Sequence, residues 1–125
     1  MQFKEKLSIY RQIADHIYDQ ILTGRWVDDG RILSIRDMSI QMEVNPNTMT
    51  RAYGLLQDQG VIYNRRGIGY FTSKDASSIT RGLKKKEFIT SVLPEMFSNM
   101  TSLKMSIEEL QELYTDFKEK NHEDE

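Results

Sequence analysis

Cysteine is absent from this chain, which rules out a disulfide framework and any thiolate metal site and fits a reducing, cytoplasmic setting. Histidine occurs only at His16 and His122, isolated from one another and from any patterned carboxylates, so no metal centre is expected. No apolar run approaches the length of a membrane span, and Met1-Gln2-Phe3-Lys4 does not read as the start of a secretory leader. The sequence also offers no nucleophile with its base, no phosphate-cradling loop and no metal cluster, and Asp28-Asp29 reads as a turn. Neither catalysis nor a cofactor is expected.

What is present is a chain of 125 residues whose 38% hydrophobic content supports one small domain with an appendage. The formal net charge is −2, but it is unevenly spread. Residues 1–74 carry ten Lys/Arg against eight Asp/Glu, a balance of +2, whereas residues 75–125 carry seven against eleven, a balance of −4. What matters for a partner is where the positive charges point.

From Ile35 onward, apolar residues recur in steps of three and four: Ile35, Met38 and Met42, then Val44, then Met49, Ala52, Tyr53 and Leu56. Such steps place the side chains on one stripe of each of two helices joined by a sharp turn. Ser39 falls where two crossing helices approach most closely, and a large residue there would splay them. Ser34 with Asp37 forms a capping box that starts the first helix near Ile35. The second helix starts with Asn45 as N-cap and Pro46 at the first helical position, where its missing N–H costs nothing. With Met49 inward, at about 100° per residue, Asn47, Arg51, Gly54 and Asp58 point outward, flanked by Thr48 and Thr50. Amide, hydroxyl and guanidinium groups on the first turns of a helix are the groups that hydrogen-bond base edges and phosphates in a major groove. Gly54 either allows close approach of a phosphate strand or marks a tight packing point. Gly60 ends this helix.

Two short β-prone runs follow, Val61-Ile62-Tyr63 and Tyr70-Phe71-Thr72, joined by the tip Arg65-Arg66-Gly67-Ile68-Gly69. Arg65 and Arg66 suit phosphate contact or minor-groove insertion, while Gly67 and Gly69 permit the positive φ of a tight tip. Upstream, Ile9, Ile13, Ile17, Tyr18 and Ile21 keep a helical period closed by Gly24, with Leu7 and Tyr10 adding contacts. Trp26 and Ile32 extend that core, and Arg31-Ile32-Leu33 is expected to lie as a strand against the hairpin. The fold class expected is mainly α with a small β-hairpin wing, a winged helix-turn-helix followed by a C-terminal helical dimerisation segment.

Residues 9–73 resemble the DNA-binding domain of the GntR family of bacterial transcription regulators, and in particular its short YtrA-like subgroup. The matching text is Ile9-Tyr10-Arg11-Gln12-Ile13-Ala14, Leu33-Ser34-Ile35-Arg36-Asp37, Val44-Asn45-Pro46-Asn47-Thr48-Met49-Thr50-Arg51-Ala52-Tyr53 and Arg65-Arg66-Gly67-Ile68-Gly69-Tyr70-Phe71. The resemblance implies operator contacts from Arg36, Asn47, Thr48, Thr50 and Arg51 and a wing contact from Arg66 with Gly67. Four positions depart from the family pattern. Leu33 stands where proline is usual, Asp28-Asp29 replaces Pro-Gly, and Glu43 occupies the glycine position of the helix-helix turn. A looser or differently shaped turn before Arg31 and a mildly strained Glu43 are therefore expected.

Beyond Ser73, Asp75 is expected to cap a helix running through Arg81 and Lys84-Lys85-Lys86, a solvated face or a contact to flanking phosphates. An apolar stripe follows at Phe88, Ile89, Val92, Leu93, Met96, Phe97, Met100 and Leu103, interrupted by Pro94, which should kink or break the helix. Ser106-Ile107-Glu108-Glu109 opens a last helix with Ile107, Leu110, Leu113, Tyr114 and Phe117 inward, and the tail from Asn121 to Glu125 is expected to fray. Two helices cannot bury stripes this wide. Self-association through Phe88, Val92, Met96, Phe97, Met100, Leu110, Leu113 and Phe117 is expected, the alternative being a monomer with the helices folded back.

The boundary between a DNA-binding domain and a dimerisation region is placed at 74/75. The function expected is a dimeric regulator, a repressor, binding a pseudo-palindromic double-stranded operator, with the family resemblance suggesting a transporter operon. The alternative is a winged-helix module that binds another protein without reading DNA. Any small-molecule effector is unspecified.

Overall fold

The computed structural model describes residues 7–121, so His122, the tail beyond it and the opening Met1-Gln2-Phe3-Lys4 lie outside the described residues. The chain runs through α1 (Ile9–Leu22), β1 (Arg31–Ile32), α2 (Ile35–Met42), α3 (Pro46–Asp58), β2 (Ile62–Arg65), β3 (Gly69–Thr72) and α4 (Ala76–Glu87). A π-helical turn (Phe88–Val92), α5 (Leu93–Ser102) and α6 (Ile107–Lys120) complete it. Two compact units result, one ending at Lys84 and the other beginning at Lys85.

The first unit is built on the expected stripes. Ile13, Ala14, Ile17, Tyr18 and Ile21 of α1 are buried with Met38 of α2 and Met49, Ala52, Tyr53 and Leu56 of α3, and Trp26 and Ile32 pack against them. Ser39 is 3% exposed, and its hydroxyl donates to the Ile35 carbonyl, so a small side chain fills this position and satisfies its own polarity. The sheet is antiparallel in the order β1-β3-β2, with Ile32 opposite Tyr70 and Tyr63 opposite Phe71. Pairing runs to Arg65 and begins again at Gly69, closer to the tip than the β-prone runs alone suggested.

The unusual turn residues sit where tight geometry is required. Glu43 adopts φ 55° and closes α2, the Val44 amide reaching back to the Ser39 carbonyl at 3.0 Å. Asp29 has φ 57°, yet its turn is pinned rather than loose. Its amide donates to the Ser73 carbonyl at 3.1 Å, and its carboxylate accepts from the Tyr63 hydroxyl at 3.1 Å. Neighbouring Asp28 accepts from both the amide and the hydroxyl of Ser77, at 3.0 and 2.7 Å. The carboxylate that meets the first turn of α4 thus comes from a residue 49 positions away, where local reading pointed to Asp75. Ala76 and Thr80 of α4 are fully buried and Ile79 and Leu83 pack on the core, which explains why this unit continues ten residues past the boundary expected at 74/75.

In the second unit, the Leu93 amide donates to the Phe88 carbonyl, an i to i−5 bond immediately ahead of Pro94. Widening the helix here accommodates a residue that lacks an N–H and crowds the preceding turn, so the interruption expected at Pro94 takes this form. Ser106 caps α6 by accepting from the Glu109 amide at 3.0 Å. One expectation fails: no residue of α6 is buried, and Ile107, Leu113, Tyr114 and Phe117 are 52–62% exposed. Met100 differs in the opposite sense, being covered to 7% exposure within the single chain.

Replacing Glu43 by glycine removes the cost of a side chain at positive φ, partly offset by a more flexible unfolded chain. Glu43→Gly is expected to stabilise the protein by about 0.5–1 kcal/mol. Urea titration reads this directly, and a lower midpoint would mean that the Glu43 side chain itself supports the turn.

Candidate nucleic-acid interface

The N-terminus of α3 is organised by its own sequence: Asn45 Oδ1 accepts from the Asn47 amide at 2.7 Å, with Pro46 on the first turn. At the other end Gly60, with φ 79°, lets the Val61 amide bond the Leu56 carbonyl and the Gly60 amide bond that of Gln57. The inward face is fixed by Tyr53, which is 0% exposed. Its hydroxyl donates to the Leu33 carbonyl at 2.7 Å, and its ring meets that of Tyr70 edge-on at 4.9 Å. Burial holds the Tyr53 phenol well above its ordinary pKa, so it remains a donor.

The opposite face is open. Asn47, Thr50 and Arg51 are exposed and Thr48 is half-buried, all on the first turns of α3, while Arg36 is exposed on the first turn of α2. The Thr50 hydroxyl donates to the Pro46 carbonyl at 2.9 Å, which orients its remaining lone pairs outward as acceptors. The guanidinium carbon of Arg51 lies 4.3 Å from the centre of the Tyr10 ring on α1. That distance is within cation–π range, an attraction that does not itself require a hydrogen bond from the guanidinium N–H groups.

The wing tip is a four-residue turn in which the Ile68 amide donates to the Arg65 carbonyl at 2.8 Å and Gly67 takes φ 79°. Only the third residue of the turn has positive φ, the arrangement of a type II turn. Arg31 braces it from β1, its Nη2 donating to the Ile68 carbonyl at 2.6 Å. A Cβ at Gly69 would lie 3.3 Å from that same guanidinium, so glycine gives Arg31 its passage. Arg65 lies over the Phe71 ring at 5.1 Å, and Phe71 stacks on Tyr63, whose hydroxyl reaches Asp29. Arg66 and Gly67 are exposed at the apex.

The chain is therefore a winged helix-turn-helix protein of the DNA-binding class, with a polar helix face and a basic, braced hairpin tip. Residues 9–71 match the family described as bacterial regulatory proteins, gntR family, and the chain belongs to it. It is 32% identical over 111 residues to the HTH-type transcriptional regulator YhcF of Bacillus subtilis, spanning 89% of this chain and 90% of that protein. It is 31% identical over 70 residues to the HTH-type transcriptional repressor YtrA of Bacillus subtilis, spanning 56% of this chain and 54% of that one. A crystal structure of a GntR-family transcriptional regulator from Bacteroides thetaiotaomicron superimposes with a TM-score of 0.80 at 38% identity, covering 91% of this chain and 99% of that one. The DNA-binding domain of AraR in complex with operator ORX1 matches 56% of this chain and 84% of its own, with 28% identity and a TM-score of 0.53. The protein is a DNA-binding transcription regulator of this family, not an enzyme. Among the described residues no helix is long and apolar enough to cross a membrane.

Periodicity identified the exposed face of α3 but missed what supports it. Tyr10 packs on the core, Arg31 lies in β1 and Asp28 lies in a turn, as expected; their added contacts have no local signal, because each partner lies 37 to 49 residues away or on another helix. Gly54 either allows a close phosphate strand or marks a tight packing point, and the space around it separates the two. A Cβ built there meets nothing within 4 Å, so no packing inside the chain requires glycine. Gly54→Ala is expected to stabilise α3 by ~0.5–1 kcal/mol, measured by chemical denaturation. Destabilisation would restore the packing-point reading.

Proposed function

We propose that the protein acts in the cytoplasm as a homodimer that represses a small operon by occupying a pseudo-palindromic operator in double-stranded DNA. The observation that carries the dimer is the surface from Lys85 onward. Phe88, Ile89, Val92, Phe97, Leu103, Ile107, Leu113, Tyr114 and Phe117 are all at least 47% exposed in the single chain. Soluble chains rarely leave so many large apolar side chains open, and a two-fold partner covers them most simply. Each one fully buried contributes ~1.5–3 kcal/mol before the costs of association. Phe88, Val92, Met96, Phe97, Leu110, Leu113 and Phe117 form the proposed interface, to which the already covered Met100 adds little new area. Two recognition helices held by such a dimer would enter successive major grooves ~34 Å apart.

In this reading Asn47, Thr48, Thr50 and Arg51 face base edges, Arg36 supports them from α2, and Arg65, Arg66 and Gly67 grip the backbone beside the groove. The open space over Gly54 suits a phosphate strand passing close to α3. Repression is supported by the likeness to YtrA, and blocking a promoter needs no more than occupancy by a small, tightly bound dimer.

Selection of bound fragments from random DNA by the purified protein would supply the operator, and half-sites about one helical turn apart are expected. Arg51→Ala should lower discrimination between that duplex and random DNA by ~1–3 kcal/mol, whereas Arg66→Ala should weaken both more evenly. Unchanged discrimination in Arg51→Ala would remove that residue from the reading surface. Phe97→Asp should convert the dimer to monomers in sedimentation equilibrium; an intact dimer would place the interface elsewhere.

A further inference from the structure

We infer that Tyr10 is a positioning residue for DNA reading, holding the Arg51 guanidinium in the orientation in which it meets a base edge. The inference rests on the assignment of Arg51 to base contact. Three observations carry it. Arg51 is exposed on the outer face of α3, yet its guanidinium carbon sits 4.3 Å above the centre of the Tyr10 ring. Tyr10 is itself half-buried and packs against the hydrophobic core, so the ring is a fixed platform and not a second mobile side chain. Its helix, α1, contributes five buried residues to that core and is rigidly seated beneath the platform.

An arginine free in solvent must give up rotamer entropy when it makes a bidentate contact. Held over an aromatic ring within cation–π range, it has given up part of that freedom before DNA arrives. The ring therefore favours the pose in which the fork points into the groove. Its contribution falls on the correct base pair, where the fork is used, and vanishes on random duplex, where Arg51 makes only diffuse phosphate contacts. A tyrosine that only filled core volume would affect both equally.

The test uses the full-length protein and the tightest duplex recovered from a random pool, with a scrambled duplex of the same length as reference. Tyr10→Leu keeps apolar volume and removes the π face, Tyr10→Phe keeps the face and removes the hydroxyl, and each is combined with Arg51→Ala. Tyr10→Leu is expected to reduce the ratio of specific to scrambled affinity roughly three- to tenfold. Tyr10→Phe should retain the parental ratio, and the Leu substitution should have no further effect in the Arg51→Ala background. Thermal melts of each variant separate loss of folding from loss of reading.

If Arg51→Ala leaves the ratio unchanged, the base-reading assignment fails and the inference falls with it. If Arg51→Ala lowers the ratio but Tyr10→Leu does not, or does so equally without Arg51, the assignment stands and the positioning role is wrong. Tighter specific binding by Tyr10→Leu also overturns it, since the ring would then be restraining the arginine from DNA. Loss of discrimination in Tyr10→Phe would move the effect from the ring face to the hydroxyl and reject the stacking argument.

Discussion

The buried phenol of Tyr53 is the point on which the architecture turns. Through one residue of α3, the helix is tied to the segment entering α2 by a hydrogen bond to the Leu33 carbonyl and to the sheet by an edge-on contact with Tyr70. A helix held from beneath by both neighbours has its rotation about its own axis determined. With Tyr53 inward, Asn47 and Arg51 have only the outer face available, and their exposure follows from burial elsewhere. The hydroxyl contributes beside the ring: the Leu33 carbonyl would need another donor if Tyr53 lacked one.

The wing depends on a comparable but more extended arrangement. Asp28 ties the turn to α4 through Ser77, and Asp29 ties it to β2 through Tyr63. Tyr63 stacks on Phe71, which in turn carries the guanidinium of Arg65. Departures from the usual Pro-Gly at this turn therefore bring two carboxylates that replace preset backbone geometry with specific side-chain bonds. Asp tolerates the left-handed conformation better than most residues, which makes the exchange feasible at Asp29. The α4 helix enters the first unit through the same turn, and this is why its first turns are buried with the winged core.

Much of this was legible in the residues themselves, for reasons specific to each. Asn45-Pro46 and Ser34 with Asp37 are local capping signals, and both cap side chains accept from a first-turn amide, Asn45 from Asn47 and Ser34 from Asp37. The stripes of α1, α2 and α3 obey the helical period because each helix faces one core. The stripe of α6 obeys the same period without a core to face, so periodicity alone predicted an inward side that the single chain does not bury. Contacts such as Arg51 on Tyr10 or Arg31 on Ile68 join residues with no common local pattern, and a linear reading has no signal for them. Pro94 announced an interruption, but not that the helix would absorb it by widening to i to i−5 bonding.

The charge distribution is consistent with this division of labour. An overall charge of −2 gives the chain no general attraction to a polyanion, so affinity must come from where the cations sit. Arg51 and Arg65 are each held on an aromatic ring, and Arg31 is committed to bracing the tip. Cations fixed in place in this way suit oriented hydrogen bonds, which contribute most where a base pattern matches.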